Sequence, residues 1–248
     1  MVIRIVLLLV LAVLIPGIIY AFPDNGVLDD FNRADDGTPP PGDNWTTTIG
    51  FATDTCGFNL NANAIRFNVT DTFWCSMYWN PATFGPDAEV FLELPSTAAI
   101  SGGGQQIQLF VRGVVGAVDT FDGYTFQFFP PGSQIFINRV DNGVATQLGA
   151  TISQGIDAAD AIGGTAIGDQ ICVWFNNDGA GWTQLACRTD STYTGAGRIG
   201  LFGAGNATSP FGDNFGGGTI GAPAGHPAMR RWGGIYGMGS NLTGRGGF

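Results

Sequence analysis

The pattern of apolar and polar positions predicts β-strands along most of the chain, most clearly between Asp122 and Leu148. Tyr124, Phe126 and Phe128 alternate there with polar residues, which is the period-2 pattern of a strand with one buried face. A Pro-Pro-Gly break and an Asn142-Gly143 turn separate this strand from two more. The segment therefore predicts a three-stranded antiparallel meander.

Similar short runs predict further strands at the spacing typical of a sandwich or barrel. They lie near Val27–Phe31, Trp45–Ala52, Asn59–Val69, Thr72–Trp79, Ala88–Leu94, Gln105–Val114, Arg198–Gly203 and Asn214–Ile220, with a cysteine-bearing hairpin from Ile171 to Cys187. Only Ile156–Ile162 indicates a helical turn. We therefore predict a single all-β domain built as an antiparallel β-sandwich or barrel.

Composition supports this fold class and limits the partners. The 248 residues include 40 glycines and only 12% charged residues, which suits many short strands and tight turns. The formal net charge is −10, so the chain repels nucleic acid and anionic membranes. The single histidine, His226, lies near the C-terminus. This position argues against histidine-based zinc sites and catalytic triads, which need an imidazole held by a rigid scaffold.

Both ends of the chain differ from its body. Met1–Ala21 has one early arginine, an apolar run and a Pro-Gly break before a small residue, which is the pattern of a secretory signal peptide. An uncleaved membrane anchor is the alternative. Pro223–Phe248 is rich in glycine, arginine and aromatic residues, and we interpret it as a flexible tail or as an arm for assembly or homo-oligomerisation. Residues 22–222 then form the sandwich of a secreted or cell-surface protein.

Four cysteines, Cys56, Cys75, Cys172 and Cys187, allow three pairings. A two-residue turn at Gly179-Ala180 places Cys172 opposite Cys187 on neighbouring strands, close enough to form a disulfide. The other two cysteines flank another predicted hairpin and form the second pair. Buried free thiols are the alternative if the chain matures in a reducing compartment.

Seven segments along the chain carry a family resemblance. They are DDFNRAD (29–35), NW (44–45), YWNPATFGPDAEV (78–90), DGY (122–124), RVDNGV (139–144), STYTGAGRIGL (191–201) and FGDNFGGGT (211–219). Together they resemble the LamG-like members of the concanavalin A-like lectin/glucanase superfamily, found in secreted bacterial proteins and phage virion proteins. The resemblance implies a jelly roll but no single activity, because this fold hosts lectins, adhesion modules, structural domains and glycosidases.

Aromatic residues are the candidates for glycan binding. An exposed ring stacks on the CH face of a sugar, while neighbouring Asp or Asn side chains bind its hydroxyls. Core packing is the alternative for each ring. The candidates are Trp74, Tyr78, Trp79, Trp174 and Trp182.

Acidic residues near the two ends of the sandwich are candidates for a structural Ca²⁺ site. In a jelly roll the first and last strands often lie side by side, which brings Asp29 and Asp30 near Asp213 and Asn214. Their side chains offer the hard oxygen ligands that Ca²⁺ prefers. Solvated turn residues explain the same pattern without a metal.

The only two glutamates, Glu89 and Glu93, share one face of a predicted strand. They superficially resemble the laminarinase-like motif, in which two glutamates flank an aspartate, but Phe91 stands at the central position. We therefore predict a non-catalytic binding module for glycans or a surface partner. The alternatives are a structural subunit of a virion or extracellular assembly, and a glycosidase that uses both glutamates.

Overall fold

A computed structural model describes residues 21–37, 39–47, 57–68, 71–116, 120–205 and 209–221, and for residues 71–74 the backbone only. The predicted leader up to residue 20, Cys56 and the tail from residue 222 lie outside the described residues. Within the described ranges, no helix has the length and apolarity needed to cross a bilayer.

The described residues form sixteen strands and two short 3₁₀ helices, at Ala98–Ile100 and Pro130–Gly132. The strands are β1 (Val27–Asp29), β2 (Trp45–Thr47), β3 (Phe58–Asn61), β4 (Ala64–Phe67), β5 (Asp71–Trp79), β6 (Ala88–Leu94), β7 (Gln106–Val115), β8 (Phe121–Phe129), β9 (Gln134–Asp141), β10 (Val144–Gln147), β11 (Ile152–Ser153), β12 (Asp160–Ile167), β13 (Gln170–Asn176), β14 (Trp182–Thr189), β15 (Arg198–Gly205) and β16 (Asp213–Thr219). The prediction of an all-β antiparallel sandwich is confirmed.

Six strands form one antiparallel sheet in the order β1-β16-β6-β12-β13-β14. The first and last strands of the sandwich are neighbours, as predicted, with Asp29 opposite Phe215. Within β6, Val90 and Leu92 are fully buried in the core. Since side chains alternate along a strand, the residues between them lie on the outer face of the sheet.

The second antiparallel sheet has the order β10-β9-β8-β7-β15-β5-β2, with β11 beside β9, while β3 and β4 form a separate hairpin. The predicted meander is β8-β9-β10, and its turn residues Asn142 and Gly143 both have positive φ. Tyr124, Phe126 and Phe128 are fully buried in the core, as the alternation predicted. Burial of each phenylalanine ring contributes roughly 1.5–3 kcal/mol to stability.

The helical turn predicted at Ile156–Ile162 is wrong, because β12 begins at Asp160 and lies between β6 and β13. The alternation of apolar and polar side chains is interrupted in the middle of β12, because Gly163 and Gly164 have no side chains. A Cβ on Gly164 would lie 2.1 Å from the Phe126 ring, and one on Gly163 would lie 2.4 Å from the Phe22 ring. Aromatic rings therefore pack directly on the β12 backbone from both sides of the sheet.

The predicted disulfide between Cys172 and Cys187 is confirmed. The two residues lie directly opposite each other, although the connection between β13 and β14 is longer than the predicted two-residue turn. The longer loop shifts the pairing of β13 with β14 by one residue relative to the prediction. A bulge after Val173 shifts the pairing back, so Cys172 still lies opposite Cys187. Cys75 is also disulfide-bonded, and no free cysteine occurs among the described residues.

Three of the resembling segments meet at one end of the eight-stranded sheet. The Tyr124 hydroxyl donates to Asp190 at 2.7 Å. The Tyr193 hydroxyl donates to Asp141, also at 2.7 Å. Arg139 forms ion pairs with both carboxylates, at 2.8 and 3.1 Å. Burial raises the pKa of Tyr124 to about 12, so its hydroxyl remains a donor at neutral pH. These side chains join β8 and β9 to the loop before β15 and have a structural role.

Candidate functional site

The outer face of the eight-stranded sheet carries uncharged polar side chains across β7, β8 and β9. We call these residues the amide row: Gln106, Gln108, Thr125, Gln127 and Asn138. Strand pairing places Gln108 opposite Gln127 and Thr125 opposite Asn138. Asn138 donates to Gln127 at 3.2 Å and to Thr125 at 3.4 Å, and Gln127 donates to Gln106. The Gln108 amide makes no hydrogen bond to the described residues, so it is available to a ligand.

Three phenylalanine rings lie beside the amide row on the same outer face. The ring centroids of Phe110, Phe121 and Phe202 are 4.8–5.0 Å apart. None of the three side chains is more than 2% exposed. Gly200 makes this packing possible, because a Cβ there would lie 2.6 Å from the Phe110 ring. The outer face therefore has its own small apolar cluster, separate from the main core.

A hollow of about 130 Å³ opens between the amide row and this cluster. It is lined by Gln108, Phe121, Thr125, Val140, Gly143, Ala145 and Phe202. The β9–β10 turn forms one wall, where the Gly143 N–H donates to the Phe121 carbonyl at 2.8 Å. All four residues of β10 are exposed beside it. The hollow thus combines a mainly apolar lining with one unpaired amide.

The outer face of the six-stranded sheet is covered by residues 22–25, which we call the N-terminal strap. Phe22 stacks on Trp174 with ring centroids 4.8 Å apart and planes 10° from parallel. It also lies edge-on to Trp182 at 4.7 Å. Phe22 is only 8% exposed. The two tryptophans therefore form a cleft that the protein's own ring occupies.

Glu89 holds the strap on the sheet. Its fully buried carboxylate accepts backbone hydrogen bonds from Asp24 at 2.9 and 3.0 Å and from Asn25 at 2.5 Å. The Asn25 side chain donates to it at 2.9 Å. Glu93 lies further along β6, is exposed, and accepts from Asn214 at 2.7 Å. The two glutamates share a strand face, as predicted, but Glu89 is closed to solvent.

No family model and no curated protein match the sequence. Solved structures match in fold. The carbohydrate-binding module CBM66 from Bacillus subtilis is 16% identical, with 73% of this chain and 98% of that chain covered and a TM-score of 0.50. The carbohydrate recognition domain of Emp47p is 15% identical, with 77% and 92% covered and a TM-score of 0.51. The Ca²⁺/Man2-bound exoplasmic/lumenal domain of VIP36 is 14% identical, with 77% and 85% covered and a TM-score of 0.51.

The fold is an antiparallel jelly roll. The jelly-roll fold that the sequence resemblance implied is confirmed. Membership of the LamG-like branch stays a prediction. At these identities the similarity establishes the architecture, and the ligand has to be argued from this chain's own residues.

The jelly roll separates the aromatic residues predicted to bind sugar. Trp79 is 7% exposed and packs edge-on against Trp45 at 5.5 Å, so its ring belongs to the core and is closed to a ligand. Tyr78 lies on the outer face of the eight-stranded sheet, with the Arg198 guanidinium 5.4 Å from its ring centre. Trp74 lies in β5, but its side chain is outside the described part of the structure. Among the described candidates, Tyr78 alone shares a face with the hollow.

The predicted calcium ligands come together only in part. Asp29, Asp30 and Asn214 line an open hollow of about 510 Å³ beside β1. The oxygens of Asp29 already have partners, because Arg33 donates to both of them at 2.6 and 3.0 Å and the Trp45 indole donates at 2.7 Å. The described ranges contain no cluster of three or more Asp, Glu, Cys or His side chains that could hold a metal ion. The described residues thus show no completed Ca²⁺ site, and calcium binding by this set stays a prediction.

Asp213, the fourth predicted ligand, lies near three other carboxylates. Burial raises its pKa, and the negative charges of Glu93, Asp30 and Asp29 add to this effect. Its carboxylate accepts a hydrogen bond from the Asn214 backbone N–H at 2.7 Å. The raised pKa means that proton binding relieves repulsion among these acids.

The sequence did not predict the amide row or the hollow. Gln108 and Phe202 become neighbours only because β15 inserts between β7 and β5. Thr125 and Gln127 alternate with aromatic residues and so mark the polar face of a strand. This alternation is the one local signal of the site in the sequence. Which residues from other strands lie beside them depends on the sheet order, which the alternation does not determine.

Proposed function

We propose that this protein is a non-catalytic glycan-binding module that binds its ligand on the outer face of the eight-stranded sheet. The observation that carries the proposal is the hollow, where the unpaired Gln108 amide lies beside aromatic and aliphatic walls. Sugars present CH groups to apolar surfaces and hydroxyls to amides. The carbohydrate-binding modules and recognition domains that share the fold support the proposal.

Two observations support a binding role without catalysis. Most glycosidases need two carboxyl groups that flank the scissile bond. Glu89 is fully buried beneath the strap, and Glu93 belongs to the opposite sheet from the hollow. The residues lining the hollow include no carboxyl group.

We further infer that the module acts outside the cytosol. The Cys172–Cys187 disulfide supports this, because structural disulfides persist mainly in oxidising compartments. The leader predicted at Met1–Ala21 extends the inference to secretion. Intact mass of the exported protein tests it: a chain beginning at Phe22 supports cleavage, and a full-length chain supports the anchor.

A glycan array probed with the purified protein tests the binding function. We expect saturable binding to one class of neutral glycan. Gln108→Ala should lower the glycan affinity roughly 2- to 10-fold, because it removes one hydrogen bond to the ligand. Gln170→Ala is the matched control, because Gln170 is an exposed glutamine in β13 of the other sheet. It should leave both the affinity and the melting temperature unchanged.

Running the array with calcium and again with a chelator tests the cation separately. Binding that disappears with the chelator would indicate a cation requirement that the described residues do not explain. A folded protein that binds no glycan would contradict the proposal. The hypothesis of a structural subunit, assembled through the tail from Pro223, would then become the stronger one.

A further inference from the structure

We propose that the hollow receives the acetamido group of a neutral N-acetylated hexosamine. This inference rests on the proposed glycan-binding function and specifies the substituent that the site recognises.

The hollow is too small for a whole sugar ring. Its volume is about 130 Å³, whereas sites for drug-sized ligands span roughly 300–1,000 Å³. An engineered cavity of about 150 Å³ holds a single benzene molecule. The hollow therefore accepts a substituent of benzene size or smaller, and an acetamido group meets that limit.

The lining matches a group with one apolar and one polar part. Phe121, Phe202, Val140 and Ala145 offer apolar contact that a hydroxyl would not use. A bare alkyl group would instead cover the Gln108 amide without giving it a partner, which costs free energy. An acetamido group satisfies both requirements, since it carries a methyl group, a carbonyl acceptor and an N–H donor.

The hydrogen-bonding capacity of the polar residues fits the same group. Gln108 makes no hydrogen bond to the described residues, so its amide can both donate and accept. The Thr125 oxygen accepts from Asn138 at 3.4 Å, which leaves the hydroxyl proton to donate. The ligand carbonyl can accept from either residue, and the ligand N–H can donate to the Gln108 carbonyl oxygen.

Charge argues against acidic sugars. None of the seven lining residues has an ionisable side chain, and the whole chain carries a formal charge of −10. A carboxylate or sulfate would lose its hydration there without gaining a cationic partner. The sugar ring itself would rest outside the hollow, beside the exposed strand β10.

The test compares pairs of neutral glycans that differ only in an acetamido or a hydroxyl group. N,N′,N″-Triacetylchitotriose and cellotriose form one such pair, and methyl glycosides of the galacto and manno series form two more. Titration calorimetry with the full chain measures each affinity. We expect at least about tenfold tighter binding of the acetamido member in one series, as for other small groups that fill a pocket.

Ala145→Leu tests whether the preference arises in the hollow. Ala145 is exposed and lines the hollow, so a leucine there should fill it without disturbing the core. We expect the acetamido preference to fall to about onefold, with the melting temperature unchanged. Thr146→Leu is the matched control, because Thr146 is exposed in the same strand but does not line the hollow.

The outcomes separate this inference from the function on which it rests. Glycan binding with no acetamido preference overturns the inference and leaves the proposed function standing. A preference that survives Ala145→Leu also overturns it, because the group is then recognised elsewhere. Failure of the folded protein to bind any glycan overturns both.

Discussion

The two outer faces of the sandwich use similar side chains in different ways. On the six-stranded sheet, Trp174 and Trp182 form an aromatic cleft, but Phe22 fills it and Glu89 fastens the strap beneath. On the outer face of the eight-stranded sheet no tryptophan ring is described, since Trp45 and Trp79 pack inward, yet an open hollow lies beside an unpaired amide. The comparison teaches that large aromatic residues indicate a ligand site only where the protein leaves their faces free.

The charges of the two faces differ as well. The six-stranded sheet presents Glu89 and Glu93 outward, and Asp213 lies close enough to Glu93 for its pKa to respond. The residues that line the hollow on the other sheet are all neutral. One face is therefore held together by hydrogen bonds to carboxylates, and the other is suited to uncharged ligands.

The largest expected effect comes from Phe22→Ala. Removing the ring should cost about 3 kcal/mol of unfolding free energy, at the low end for a buried phenylalanine because the site is at the surface. Urea unfolding measures the loss, and a red shift of tryptophan emission would report exposure of Trp174 and Trp182. Glycan affinity should stay within twofold. A loss of glycan binding in the folded variant would reverse the assignment of the two faces.

Glu89→Gln should have the next largest effect, about 2 kcal/mol. Glutamine keeps the shape but replaces one acceptor oxygen with a donor facing the N–H groups of the strap, and hydrogen bonds to charged groups contribute about 1.5–3 kcal/mol. Glu93→Gln is the control on the same strand, with an expected change within about 0.5 kcal/mol because Glu93 is exposed. Equal effects of the two substitutions would contradict the role of Glu89 in holding the strap.

Asp213→Asn should stabilise the protein at pH 7, by under about 1 kcal/mol since Asp213 is only partly buried. Because folding raises the pKa of this carboxyl, its ionised form costs stability at neutral pH. The cost disappears as the pH falls through the raised pKa. Thermal melts from pH 7 to pH 4 should therefore show the advantage of the variant shrinking. A constant advantage would mean that the charge of Asp213 is not its source.

Tyr193→Phe should give the smallest change, a few tenths of a kcal/mol, because the Asp141 side chain is 41% exposed. The hydrogen bond from Tyr193, with Arg139 nearby, lowers the pKa of Asp141. A lowered pKa contributes stability at neutral pH that is lost as the pH falls through the folded-state value. Acid unfolding of the variant should consequently begin at slightly higher pH. If the variant and the unsubstituted protein unfold at the same acidic pH, this hydrogen bond does not contribute to the pH dependence of stability.

Much of the fold could be predicted from local patterns. The β8-β9-β10 meander and the Cys172–Cys187 bridge follow from alternation, turn residues and register, whereas the adjacency of β1 and β16 was expected from the jelly-roll fold that the family resemblance implied. β12 was missed because Gly163 and Gly164 carry no side chains to mark its faces. The disulfide prediction succeeded despite a wrong turn, since the bulge after Val173 compensated for the longer loop.

The candidate site was harder to predict for a physical reason. Gln108, Thr125 and Phe202 belong to different strands, and only the order of the sheet makes them neighbours. The tryptophans that stand out in the sequence were sensible candidates by residue type. Nothing in the local pattern indicates that Phe22, about 150 residues earlier in the chain, would occupy their cleft, because such contacts depend on the complete fold.

The position of the strap gives the molecule two distinct sides. The Asn25 side chain donates to the Thr219 carbonyl at 3.1 Å, so the beginning and the end of the sandwich lie together on the six-stranded sheet. The hollow lies on the opposite sheet. Copies tethered by either end to a common support can therefore display their hollows toward the same side. In that geometry, the glycan contacts proposed for the hollow would combine on a repetitive ligand into strong attachment through avidity, even where each contact is weak.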